Sequence, residues 1–466
     1  MFESIIFYIS ALVLCISYPL TFHGSFSIGM LICFLLISFI FFYFLSSYIF
    51  KNLYIKRSLY EILSFKSRLI SFIAILFLGI DLYLLHIPDI FLRSIRLKSI
   101  PTLVLFLMLL IFSVYMFIVW FLEWKYCSDT DIINIEFNEH LLLRAGFVIS
   151  FILPWLVTSL VFDLIHFLPY KNFIKLIDSD AGQIVYLIFF LLIFALMIPF
   201  AFKKIWRCEE LEDLETIYVL KELSMETGIK YHKAFLWPFP GGNIITAGVV
   251  GIFRKFRYIL VTRGFVNLLE KDEKKAVLAH EFGHIRHHHM FWYIFIFAGF
   301  VALSYFFIDQ LLVYFISMIP VSTEILMGKN DLLELITALV NLVSFVLYFR
   351  YIFSFFMRNF EREADIFSFI STGTQPYLIS TFKKIDLMSV DPPDKPDWHH
   401  FSILERIRFL ISCYIYPQNI RKHSRKLKSN IAIYFIVVGT LVIFGLFIGS
   451  RINGDILVNH IFFPLN

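Results

Sequence analysis

Nine apolar runs, most of them near the length that crosses a bilayer, constrain this chain more than any other feature: Ile5–Phe22, Ile28–Phe50, Leu69–Leu85, Leu103–Leu122, Ala145–Phe162, Ile184–Phe202, Met290–Ile319, Leu332–Phe356 and Ile431–Ser450. A hydrocarbon core of ~30 Å takes a helix of about 20 apolar residues. Inside lipid every backbone N–H and C=O must find a partner within the protein, and a helix does this segment by segment. The composition agrees, with 59% of the 466 residues hydrophobic where a soluble domain holds roughly half. The predicted fold class is therefore an all-α polytopic membrane protein of about nine transmembrane helices. The opening "MFESIIFYIS" has no basic n-region and no clear cleavage site, so it is expected to stay as a first span and not to act as a signal peptide.

The runs divide the chain into a membrane domain over 1–202, polar regions over 203–289 and 357–430, a two-span hairpin over 290–356, and a last span with a short tail over 431–466. Basic clusters such as "KNLYIKR", "FKKIWR" and "RKHSRKLK" flank apolar runs, where positive charge sets orientation. They predict contact with membrane lipid, not nucleic acid. The loop carrying Lys51, Lys56, Arg57, Lys66 and Arg68 is expected in the cytoplasm, and alternation then places both polar regions there too. Cys15, Cys33, Cys127, Cys208 and Cys413 are scattered without a CxxC, which suggests neither a disulfide framework nor a zinc ribbon.

The densest chemistry lies in "KDEKKAVLAHEFGHIRHHHM". His280 and His284 are four residues apart, so a helix presents both imidazoles on one face. Glu281 is turned about 100° from His280, where it can accept a proton from water at the metal instead of ligating. Asp272 is the expected N-cap of this helix. His287, His288 and His289 are read as a polar collar at the membrane interface.

A catalytic zinc takes three protein ligands and keeps one position open. "MRNFEREADIF" offers Glu361 as the third ligand, with Asp365 one helical turn later. Asp365 could hold a ligand histidine by its far ring nitrogen. A solvated charged turn is the bland alternative for this segment. Two apolar runs separate His284 from Glu361, an even number, so both return to the same side of the membrane. At 1.5 Å per residue each lies within roughly 10 Å of that surface.

With these residues together, the chain resembles the zinc metallopeptidase family that contains the HtpX-type membrane proteases and the CAAX prenyl proteases. That pattern joins HExxH, here His280 to His284, to ExxxD, here Glu361 to Asp365. An upstream segment similar to the family's NAxxxG is "GGNIITAGVVG", with Asn243 and Gly248 at matching spacing and Ile244 where alanine is usual. The resemblance implies a small edge β-strand there that binds substrate backbone. A downstream H-P-x-x-x-E-R element corresponds to His400, Glu405 and Arg406, with Phe401 in the proline position. It implies that His400 helps to stabilise the tetrahedral intermediate and that Arg406 pairs with acidic groups or contacts substrate.

The expectation is an integral-membrane zinc endopeptidase with one Zn2+ per chain, acting on a polypeptide substrate at a cytoplasm-facing site, and placed in a bacterial cytoplasmic membrane. His280, His284 and Glu361 would hold the metal, with Glu281 as general base. A sensor-type regulatory protease and a metal transporter are the rival readings. A transporter would line several spans with ligands, whereas here they concentrate at one edge.

Overall fold

The structure, a computed structural model, describes residues 2–451 apart from 21, 23, 25, 53–58, 95, 96, 98, 129–135, 168, 169, 179, 240–243, 318–329, 375 and 389–399. Lys56 and Arg57 of the orienting loop lie outside the described residues, as does Asn243.

Among the described residues, eight helices are long and apolar enough to cross a membrane. The first apolar run forms α1 (Phe2–Ile16), a helix of 15 residues, which at 1.5 Å per residue is about 22 Å long. The chain forms two compact units. One comprises Met1–Ile205, Leu312–Val343 and Gly449–Asn466; the other comprises Trp206–Leu311 and Ser344–Ile448.

The first unit packs α1, α2 (Ile28–Asn52), α3 (Leu59–Tyr83), α4 (Pro101–Ser128) and α5 (Phe137–Ile165) around buried Ile70, Leu78, Phe112 and Val119, with α6 (Asp180–Ile205) in the same unit. Two of its buried carboxyl groups accept local hydrogen bonds. Tyr115 Oη donates to Asp81 at 2.5 Å and lies 2.6 Å from Ser38 Oγ. The Thr102 N–H donates to Asp163 at 2.7 Å. Such pairing lowers the cost of burying a carboxyl group.

The second unit is built on a four-stranded sheet ordered β1-β2-β4-β3, from β1 (Glu209–Glu210), β2 (Lys233–Trp237), β3 (Ala247–Val250) and β4 (Tyr258–Thr262). All five residues of β4 are buried. β2 runs parallel to β4, and β3 antiparallel with Gly248 opposite Leu260. β3 ends the sheet, so the predicted edge strand is present.

Helices α7 (Leu214–Thr227) and α8 (Lys271–Arg286) share one core with this sheet, through Val219, Leu220, Leu223, Ile259, Val261, Leu278 and Phe282. The α8 helix starts two residues earlier than Asp272 as a cap implies: its N-cap is Glu270. The Glu270 N–H donates to Glu273, whose other oxygen accepts from Ser380 on α12 (Tyr377–Met388). α9 (His289–Leu303) follows α8 directly.

The apolar run before the acidic motif does not stop at the polar region. Helix α10 (Asn330–Leu347) passes through a π-helical turn at Tyr348–Phe353 into α11 (Ser354–Ser371). Glu361 and Asp365 therefore stand on a helical continuation of the apolar run, not on a charged turn. Two further helices complete the unit, α13 (Ile403–Ile415) and α14 (Gln418–Arg451).

α8 and α11 approach closely because Gly283 meets Ala364. A Cβ on Gly283 would lie 2.8 Å from Ala364 Cα and 3.1 Å from Phe367 Cβ. Ser368 Oγ also donates across the pair to the Ala276 carbonyl at 2.6 Å. Adding one methyl group to a filled interface costs about 1–3 kcal/mol. Gly283→Ala should lower the unfolding midpoint, because it forces α8 and α11 apart. An unchanged midpoint in calorimetry would show that the helices yield freely.

Candidate metal centre and active site

His280 and His284 project from the side of α8 that faces α11, as the four-residue spacing requires. Their Nε2 atoms are 3.3 Å apart. Glu361 on α11 brings Oε2 to 3.4 Å from His280 Nε2 and Oε1 to 3.4 Å from His284 Nε2. One ligand atom from each of the three residues falls within 4.8 Å of the others. Among the described residues this is the only such grouping of three. Asp365, fully buried, sits 2.9 Å from His280 Nδ1, the ring nitrogen turned away from the cluster.

The donor set fits a zinc ion. Two imidazoles and one carboxylate converge, and Glu361 Oε2 is buried without a well-directed hydrogen bond. Three carboxyl groups, Glu281, Glu361 and Asp365, are buried here. Burial alone would push His280 down, yet Asp365 and Glu361 outweigh it and hold the imidazolium up to about 10. A divalent cation would replace that proton and supply the positive charge the cluster demands. His284 is driven well below its ordinary range, first by burial, which suits a neutral ligating imidazole.

Glu281 lies on the same helix but faces the sheet edge. Burial pushes its carboxyl up from 4.5 to about 7, with Glu361 nearby adding to the rise, while His280 and the Val249 N–H oppose it. The contact with Val249 ties Glu281 to β3. Gly248 lies beside it on the same strand.

His400 Nε2 is 3.3 Å from Glu361 Oε2, and its side chain is 37% exposed, so it borders the cluster and still faces outward. Arg406 pairs with the acidic groups of the cluster, one of the two roles expected of it. Its Nε and terminal nitrogen donate to Asp365 at 2.9 and 2.6 Å, and its guanidinium lies 3.7 Å from Glu361. It backs the ligand set from behind. Phe401, in the position where proline was expected, packs on two cations: its ring centroid is 3.7 Å from the Arg362 guanidinium carbon and 5.6 Å from that of Arg358. Arg362 also donates to Glu405 at 2.7 Å. These contacts anchor the segment carrying His400 in place of a proline's stiffness.

The histidine tract departs most from its sequence reading. His289 is no collar: it is fully buried, 2.9 Å from His284 by paired Nδ1 atoms and 3.3 Å from Glu363. Neither His289 nor Glu363 was legible as a site residue. Five residues from His284, His289 would point about 140° away on a continuous helix. A positive φ of 56° at His288 breaks the helix and returns His289 to its neighbour.

Comparison with known proteins bears on this unit. Residues 213–412 match the model of peptidase family M48. That stretch is similar to the family, in a chain with eight apolar helices long enough to cross a membrane among the described residues. The chain is similar to a Protease HtpX homolog of Thermoplasma acidophilum, 30% identical over 96 residues that are 19% of this chain and 29% of that protein. A Protease HtpX homolog of Aeropyrum pernix is 29% identical over 160 residues, 33% of this chain and 46% of the relative. The chain thus spans less than half the length of the curated relatives it matches. The solved structure of Ste24p from S. mikatae aligns with 82% of this chain and 99% of its own, at 18% identity and a TM-score of 0.42.

Proposed function

We propose that this chain is a zinc-dependent endopeptidase that cleaves membrane-associated or unfolded polypeptides at a cytoplasm-facing site. The observation that carries it is the meeting of His280, His284 and Glu361, with Glu281 buried beside them at a sheet edge. His280, His284 and Glu361 would hold the ion, which when bound polarises the scissile carbonyl and makes water more acidic.

The chain's own residues do the rest. β3 ends its sheet and offers backbone groups to an extended peptide, with Asn243 and Gly248 as substrate contacts. Glu281 takes the proton of the attacking water and passes it to the leaving amine. His400, at the border of the cluster, would donate to the carbonyl oxygen as it gains charge. Asp365 orients His280, and Arg406 holds Asp365. The basic clusters that flank the spans suit a cytoplasm-facing site.

The test is cleavage of an unfolded reporter protein by the full chain in lipid vesicles. Activity should vanish with a chelator and return with zinc. Glu281 acts ionised, so kcat/KM should fall as the pH drops through its pKa. Burial places that value at about 7 and a cation draws it back toward 4.5, so the acidic limb should lie between the two. Cleavage that survives chelation would defeat the proposal.

A further inference from the structure

We infer that His289 and Glu363 are positioning residues for zinc, acting through His284 as Asp365 acts through His280. The inference rests on the proposed ligand set of His280, His284 and Glu361.

The geometry allows one consistent arrangement of protons. His284 turns Nε2 toward Glu361 and His280. A neutral imidazole that ligates by Nε2 carries its proton on Nδ1. That Nδ1 lies 2.9 Å from His289 Nδ1, which must then accept. His289 in turn keeps its proton on Nε2, 3.3 Å from the Glu363 carboxylate. Every member of the chain has one donor facing one acceptor.

The relay is held on several sides. The His289 ring stacks on Phe360, with centroids 4.6 Å apart and planes within 15°. Phe360 and Glu363 are three residues apart on α11, so one helix face supplies both the stacking surface and the carboxylate. His287 stacks against the His289 ring at 5.6 Å. His289 is fully buried, so its imidazole has little freedom to turn away. Hydrogen bonds of this kind fix a ligand's tautomer and ring direction, and losing one costs about 10–100-fold in metal affinity.

The experiment is competition between the full chain in detergent and a zinc chelator of known affinity, with the unfolding midpoint of the metal-free protein measured beside it. His289→Phe keeps the stack on Phe360 and removes both ring nitrogens. Zinc affinity should fall about 10–100-fold while the metal-free midpoint stays near wild type. His289→Asn restores an acceptor where Nδ1 stood and should recover part of that loss. Glu363→Gln should weaken binding less than His289→Phe does. Unchanged affinity in both His289→Phe and Glu363→Gln overturns the relay while leaving the ligand set intact. His284→Ala serves as the control, and wild-type affinity in that variant overturns the ligand set itself.

Discussion

Glu281→Gln should lower kcat by about 10²–10⁴-fold, the usual contribution of a positioned general base, while one zinc per chain remains bound. The substitution preserves shape and leaves an oxygen for the Val249 N–H, but removes the group that can take a proton. Glu281 belongs to none of the three-ligand geometry, so metal affinity should change little. Stability should hold as well, because burial already disfavours the ionised form and glutamine carries no charge to bury. Metal content and single-turnover cleavage on the same preparation check both halves. Equal rates for the variant and wild type would assign the base elsewhere.

Asp365→Ala should be the most destabilising single change at the site. Asp365 is fully buried, and it is the residue on which Arg406 makes both its hydrogen bonds. Removing one member of such a pair costs about 3–5 kcal/mol when the other charge is left buried, and Arg406 would keep only the longer contact to Glu361 at 3.7 Å. The variant also frees His280 Nδ1, so zinc binding should weaken by a further 10–100-fold or so. Arg406→Met in the Asp365→Ala background removes the stranded cation and should return much of the stability, without returning the metal affinity. Denaturant unfolding of the metal-free single and double variants measures the coupling. If the two losses simply add, Arg406 does not act through Asp365, and its expected contact with substrate becomes the better account.

Local periodicity explains how far the amino-acid order reached. The apolar runs predict the spans because a lipid-facing helix needs little beyond length and apolarity. The four-residue spacings placed His280 beside His284, and Glu361 near Asp365, because each pair lies within a single helix whose geometry is set. The even number of apolar runs between the two segments allowed both to be expected on one side of the membrane. That much is a property of neighbours along the chain.

The rest depends on which surfaces meet. Glu361 reaches the histidines because Gly283 leaves room for Ala364, a contact between residues that no helical period relates. Arg406 sits behind Asp365, with Phe382 against its guanidinium, so its direction was settled by packing and not by its motif. Phe401 does the work expected of proline only because Arg362 and Arg358 stand beside its ring. His289 joins His284 through a break at His288, where an unbroken helix would have turned it away. By itself the sequence determined most of the apolar spans and which residue types share one helix face. Only the tertiary structure decided which groups stand behind those ligands, because a buried hydrogen bond is fixed by the approach of two elements and leaves no period in either of them.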